Sequence, residues 1–256
     1  MVTVGKIDAK VKPPLARVRL ANPPLNVLEV PMMRELFETL TAIESRHDVK
    51  VIVFEGEAHA FSAGVDIKAH LPEQVHEMLA AFHAVIRSIV ASRKVTIAVV
   101  QGACLGGGAE LAAVCDMVYT ARDATWGFPE IKLGCYPPVA TVALPALVGA
   151  KRACELIFTG RQISGDEAVA IGLANRAALA EELESLVQQT LNEVNQHSPV
   201  ALAHAKKSMY AWDAIHFDKG LARAEKVYLE ELVSTADARE GIMAFLEKRP
   251  PEWTGK

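Results

Sequence analysis

The sequence predicts an α/β core that ends in a run of helices. Two β-branched runs, VKVIVFEG (49–56) and VTIAVV (95–100), each lead through a glycine-containing loop into a helical pattern. From about residue 181 onward the periodicity is helical only. Strands interleaved with helices argue for an α/β core, and the tail for a helical extension of it. No repeat, low-complexity tract or Pro/Ser-rich linker divides the chain, so one core with an appendage is expected.

In chain order, PMMRELFETLTAIESR places Met33, Leu36, Phe37, Leu40 and Ile43 on one helical face. The 49–56 strand is followed by the loop AHAFSAGVD. In PEQVHEMLAAFHAVIRSIVAS, Val75, Met78, Leu79, Phe82, Val85, Ile86 and Ile89 recur at helical spacing, with Pro72 suited to the first turn. After 95–100 the chain turns at Gln101-Gly102, and Gly106–Gly108 open a helix that carries Glu110. MVYTA (117–121) reads as a strand. Ser164-Gly165-Asp166-Glu167 has capping-box spacing and starts a short helix. Four helical segments follow: EELESLVQQTLNEV, VALAHAKKSMYAW, KGLARAEKVYLEELV and DAREGIMAFLEKR.

With 256 residues, 51% hydrophobic and 23% charged, the chain can bury a large core. A net charge of −4 without any Lys/Arg run disfavours binding to a nucleic-acid backbone. Cys104, Cys115, Cys135 and Cys154 form no C-x-x-C pair and read as reduced, mostly buried thiols. The N-terminus has no signal-peptide h-region, and no apolar run nears the ~18–20 residues that span a bilayer. No membrane association and a cytoplasmic location are the expectation.

Both β-to-helix loops end at a helix N-terminus, where unpaired N–H groups suit an anion or a developing oxyanion. Glycines let a ligand approach that backbone. Glu110, one turn further on, could perform general acid–base work there, and Glu130 in WGFPEIKLG offers a second carboxylate among apolar residues. On spacing alone, Glu110 reads equally as a solvated first-turn acid and Glu130 as a surface-loop acid. GACLGGG matches neither G-x-G-x-x-G nor a P-loop. AFSAG lacks the first glycine of a nucleophile elbow, so Ser62 reads as a residue that caps or shapes its loop. His70, His76 and His83 lack metal-ligand spacing and read as solvated or partly buried.

Five ordered motifs are more specific: FSAGVDIK (61–68), AVVQGACLGGGAELAAVCD (98–116), FPEIKLG (128–134), FTGRQISGDEAVAIGLA (158–174) and EGIMAFLEKRPPEW (240–253). Together they resemble the enoyl-CoA hydratase/isomerase, or crotonase, superfamily, from NPPLNVL (22–28) nearly to the C-terminus. The resemblance implies a ClpP-like spiral of ββα turns over residues 1–195. Residues 196–256 would form a helical oligomerisation region that builds homotrimers, stacked into hexamers. It implies an acyl-CoA substrate, with CoA as the handle and neither metal nor other cofactor. The thioester oxygen would lie between the backbone N–H groups of Val65 and Gly107. Glu110 and Glu130 match the two glutamates of hydratases, whereas many relatives that isomerise or hydrolyse keep one or neither. Ala63, Val65 and Lys68 match the segment that wraps the CoA adenine and phosphates, and Pro24 and Leu25 the first CoA-contacting loop. Phe245 and Lys248 match C-terminal positions that reach the CoA, often from a neighbouring subunit.

Two departures stand out. Val65 replaces a common alanine, which is harmless for a backbone contact. GCYPPVATVALP (134–145) replaces the usual glycine-rich stretch of the acyl pocket, so Tyr136, Pro137 and Pro138 would form a rigid wall. With LPEQVHEML and YLEELVSTADAREGIMAFLEKR, that stretch is similar to hydratases of cyclohexa-1,5-diene-1-carbonyl-CoA in anaerobic benzoyl-CoA degradation. That subtype would yield 6-hydroxycyclohex-1-ene-1-carbonyl-CoA. A short-chain enoyl-CoA hydratase of fatty-acid β-oxidation, an isomerase and a non-catalytic CoA- or RNA-binding relative are the alternatives. In the hydratase reading Glu110 activates water and Glu130 supplies the proton.

Overall fold

The computed structural model describes residues 5–57, 60–210 and 213–255. Two sheets organise the chain, one long and one short. In the six-stranded sheet, β1 (Ile7–Lys12) pairs antiparallel with β2 (Leu15–Leu20). Beyond β2, the strands β3 (Val51–Gly56), β5 (Val95–Val100), β7 (Met117–Ala121) and β10 (Arg176–Ala178) run parallel to one another. The central strands are buried almost throughout, as parallel strands covered on both faces must be. In β2 the alternation is clean: Ala16, Val18 and Leu20 face the core, while Arg17 and Arg19 point outward to ion-pair with Glu55 of β3.

The second sheet is made of the three-residue strands β4 (Ala60–Ser62), β6 (Ala103–Leu105), β8 (Thr125–Gly127) and β9 (Gln162–Ser164), in that order. Each turn of the chain gives one strand to the long sheet and the next to the short one: β3 then β4, β5 then β6, β7 then β8. The first two of these turns close with a helix, α2 (Val75–Ala91) and α3 (Gly107–Ala113). This is the expected spiral of ββα units. Within the short sheet β4, β6 and β8 are parallel neighbours, so their C-terminal ends lie side by side. Those three ends carry the candidate site.

Helix α1 (Val30–Glu44) packs on α2, and both bury the predicted faces with one exception. Phe37, next round from Leu36 at the rim of the apolar stripe, is 41% exposed. Pro72 lies before α2 rather than in its first turn. The chain makes a 3-10 turn at Ile67–His70, and Leu71 then adopts the extended conformation that a following proline favours. Helices α4 (Pro138–Val148) and α5 (Ala150–Thr159) follow β8. Then α6 (Gly165–Ala170) starts at Ser164, whose hydroxyl accepts from the Glu167 N–H as the capping box requires.

The tail comprises α7 (Ala180–Asn195), α8 (Pro199–Tyr210), α9 (Asp213–Val227), a π-helical turn at Tyr228–Leu232 and α10 (Ala236–Leu246). Ala211 and Trp212, read as the end of α8, lie outside the described residues, as do Ala58 and His59 of the AHAFSAGVD loop. Helix α9 packs on α4 and α2, and α10 on the 3-10 turn Pro129–Leu133, so the tail folds back over the core of its own chain. Cys104, Cys115 and Cys135 are buried free thiols, whereas Cys154 is exposed on α5. Among the described residues no helix is long and apolar enough to cross a membrane.

Candidate active site

Three loops converge because three parallel strands end together. The loop after β4 holds Ala63, Gly64 and Val65; the loop after β6 holds Gly106 and leads into α3 at Gly107; β8 leads to Glu130 in the turn Pro129–Leu133. All six line one cavity of about 80 Å³ with Glu110, Tyr136, Pro137 and Pro138. A groove of about 370 Å³ between α1 and α2 is larger, but its ionised groups are the surface pair Glu44 and Arg93. The smaller cavity, which holds two buried carboxyl groups, is the candidate site.

Glycine is required where these loops touch. Gly64 has φ +98°, and a Cβ there would stand 2.8 Å from the Leu105 carbonyl oxygen and 3.3 Å from the Gly107 nitrogen. Gly106 has φ +51°, and a Cβ there would stand 2.7 Å from Glu130 Oε1. Its N–H donates to the Gly127 carbonyl at 2.9 Å, stitching the second loop to the third. Gly107, as first residue of α3, has an N–H with no partner earlier in its helix. Val65 lies on the adjoining loop, so residues from two chain segments border one cavity.

Asn26 and Ser62 hold the first loop in shape. Asn26 is fully buried at φ +50°, and its amide donates to the carbonyls of Glu57 and Ala60 at 2.9 and 2.8 Å. The Ser62 hydroxyl donates to the Asn26 carbonyl at 2.8 Å and accepts from the Gly64 N–H at 3.1 Å. Buried and fully engaged, Ser62 shapes the loop, as the sequence implied.

Glu110 and Glu130 are both buried, neither solvated nor on the surface. Burial pushes Glu110 up to about 7, although the N–H groups of Ala140 and Val139 pull it down. The Ala140 N–H donates to Glu110 Oε1 at 2.8 Å, which places the carboxylate at the N-terminus of α4. Pro138 at the first helical position has no N–H, so the next two residues supply the donors. Burial, then the nearby Glu110 charge, holds Glu130 well above the ordinary carboxylate range. Its Oε2 is buried with no hydrogen-bond partner. Two carboxyl groups buried in one cavity cannot both ionise readily, an arrangement suited to one base and one acid.

The remaining sequence-derived residues are outside the lining. Leu25 accepts the Ala63 N–H at 2.8 Å, and the Leu28 N–H donates to the Gly64 carbonyl, so the 22–28 loop runs along the 63–66 loop. Pro24, Leu25 and Lys68 are exposed beside it. Phe245 and Lys248 are exposed at the end of α10, away from the cavity of their own chain.

Sequence reasoning missed part of the wall. Met78, Leu79 and Phe82 of α2 belong to a stripe read as core, and that stripe also faces the cavity. His70, half-buried, lines it too. Its Nδ1 lies 3.1 Å from the Asp66 carbonyl, and burial holds its pKa below the usual histidine value. His83 is fully buried against Glu225, rather than solvated, and of these three histidines only His76 is exposed. Tyr228, from the tail, heads the YLEELVSTADAREGIMAFLEKR segment, whose resemblance gave no hint that its side chain enters the cavity.

The family model for enoyl-CoA hydratase/isomerase matches residues 11–256. The chain belongs to that family. It is 33% identical over 243 residues to cyclohexa-1,5-dienecarbonyl-CoA hydratase of Thauera aromatica, covering 94% of this chain and 93% of that one. It is 35% identical over 248 residues to a probable enoyl-CoA hydratase of Bacillus subtilis, covering 94% and 96%. Among solved structures, an enoyl-CoA hydratase from Mycobacterium avium subsp. paratuberculosis superposes with a TM-score of 0.89 at 27% identity, covering 98% of this chain and 99% of that one.

Proposed function

We propose that this member of the enoyl-CoA hydratase/isomerase family hydrates compact α,β-unsaturated acyl-CoA thioesters, as a short-chain enoyl-CoA hydratase does. The family membership supports the reaction class. The observation that carries the mechanism is the pairing of Glu110 and Glu130 in one buried cavity bordered by Val65 and Gly107. With the thioester oxygen between those two N–H groups, charge developing there is stabilised by donors already in place. Glu110, oriented by the Ala140 N–H, takes a proton from water as it adds to the β carbon. Glu130, held protonated by its surroundings, delivers a proton to the enolate. The exposed residues Pro24, Leu25 and Lys68 would carry the CoA beyond the cavity mouth. Phe245 and Lys248 would serve a neighbouring subunit of a trimer or hexamer, assembled through residues 196–256.

A second reading is hydration of cyclohexa-1,5-diene-1-carbonyl-CoA. The Thauera relative and the stiff wall of Tyr136, Pro137 and Pro138 favour it. In that diene the charge spreads through the second double bond, and protonation at the remote carbon gives 1,4-addition. Measuring kcat/KM for crotonyl-CoA, the cyclic dienoyl-CoA and a long-chain enoyl-CoA tests both readings. The long chain is expected to trail the better compact substrate by at least ~10-fold, which needs only ~1.4 kcal/mol of differential transition-state binding. A lead of the cyclic substrate over crotonyl-CoA by ~10-fold would establish the second reading, and a lead of the long chain would refute both.

The titration of Glu110 sets the pH dependence. A base must be ionised, so kcat/KM is expected to rise with pH and level off above about 7. Stability moves the opposite way. The folded chain holds the Glu110 proton more tightly than the unfolded chain, so this group's contribution falls as pH rises from the ordinary carboxylate range through about 7. A kcat/KM profile flat from about pH 5 to pH 8 would remove Glu110 as the base.

A further inference from the structure

Part of the cavity wall comes from the tail of the same chain. Tyr228 is 3% exposed and lines the cavity with both glutamates. Its ring meets Tyr136 edge-on, with centroids 5.3 Å apart at 65°, an arrangement aromatic pairs favour. Its hydroxyl sits against the Cys135 thiol. Tyr228 opens a π-helical turn, an irregularity often found at functional sites. The helix that delivers it is tied down just before that turn. The Tyr136 hydroxyl donates to the Ala224 carbonyl at 2.7 Å. Glu225 bonds His83 Nδ1 at 2.5 Å and accepts from Arg87 at 3.0 Å. Arg87 also reaches Asp218 at 3.0 Å. These ties fix the helix just before Tyr228, and the ring contact with Tyr136 holds the side chain itself.

We propose that Tyr228, clamped against Tyr136, is the specificity-determining residue that limits the acyl group to compact substrates. A closed aromatic corner in so small a cavity admits a four-carbon chain or a flat ring and stops a longer chain at the Tyr228 ring. This deepens the hydratase reading and does not depend on which compact acyl group is the native one.

The test compares wild type with Tyr228→Ala, Tyr228→Leu and Tyr228→Phe on crotonyl-CoA and a linear eight-carbon enoyl-CoA. Tyr228→Ala is expected to raise the long-to-short ratio of kcat/KM at least ~10-fold. Tyr228→Phe keeps the ring and should leave the ratio unchanged. Tyr228→Leu preserves most of the buried volume, and a smaller rise in the same direction is expected, so it serves if the alanine variant fails to fold. Equilibrium binding of saturated butyryl-CoA and octanoyl-CoA gives a readout that needs no turnover. Octanoyl-CoA affinity should rise relative to butyryl-CoA in the alanine or leucine variant. Loss of wild-type turnover on every enoyl-CoA would overturn the hydratase reading while leaving this binding comparison in force. An unchanged long-to-short ratio in both turnover and binding for folded variants, or a Phe variant that admits the long chain, would overturn the role of Tyr228.

Discussion

Glu110→Gln and Glu130→Gln are each expected to lower kcat by at least ~10²-fold, the usual scale for losing a positioned acid or base. The substitutions keep the shape of each side chain and remove its ability to exchange a proton. Binding of the acyl-CoA should largely survive, because the proposed CoA contacts Pro24, Leu25 and Lys68 are exposed outside the cavity. The double variant should fall short of the summed losses, since both groups serve one water molecule in one reaction. Glu110→Gln should also remove the rise of kcat/KM towards pH 7, because the group that titrates there is gone. If either single variant turned over at near-wild-type rate, its glutamate would have no part in the proton transfers.

Val65→Pro is expected to cost about 10²–10³-fold in kcat, the range seen when one oxyanion-hole donor is removed. Proline lacks the backbone N–H and leaves the rest of the loop chemistry in place. Val65→Ala should retain activity, because the side chain is not the proposed contact. Both variants need a folding check by circular dichroism, since the Val65 segment bridges to Leu28 in a short parallel pairing. A folded Val65→Pro protein with full activity would take this donor out of the mechanism.

How far the sequence foretold these features depended on the range over which each signal acts. The strand 95–100 and the stripe from Val75 to Ile89 are local periodicities, and the structure reproduces both. The hairpin β1–β2 was overlooked because Lys10, Lys12, Arg17 and Arg19 interrupt its apolar residues, although the charges simply mark the outer face. Strands β4, β6 and β8 are three residues each, too short to carry any period. Yet their parallel pairing is what sets Val65, Gly107 and Glu130 side by side. Residue chemistry alone left Glu110 and Glu130 open to a bland surface reading. The family motifs raised them to candidates, and burial in a common cavity is a property only the fold could supply. Tyr228 lies 98 positions after Glu130, at the head of a segment whose helical pattern and family resemblance do not say where its side chain lies. Its place in the cavity depends on the tail folding back, held by Glu225 and Tyr136, which no local pattern encodes.

The most direct test of the central claim is to incubate the purified protein with crotonyl-CoA and the cyclic dienoyl-CoA in water enriched in heavy oxygen, and to weigh the products. Hydration by the Glu110–Glu130 pair predicts loss of the conjugated thioester absorbance of crotonyl-CoA, or loss of the diene absorbance of the cyclic substrate, whose product keeps its α,β double bond. It also predicts a product heavier by one water that carries the solvent's oxygen label. Consumption of neither substrate, or a product of unchanged mass as isomerisation would give, would contradict the account.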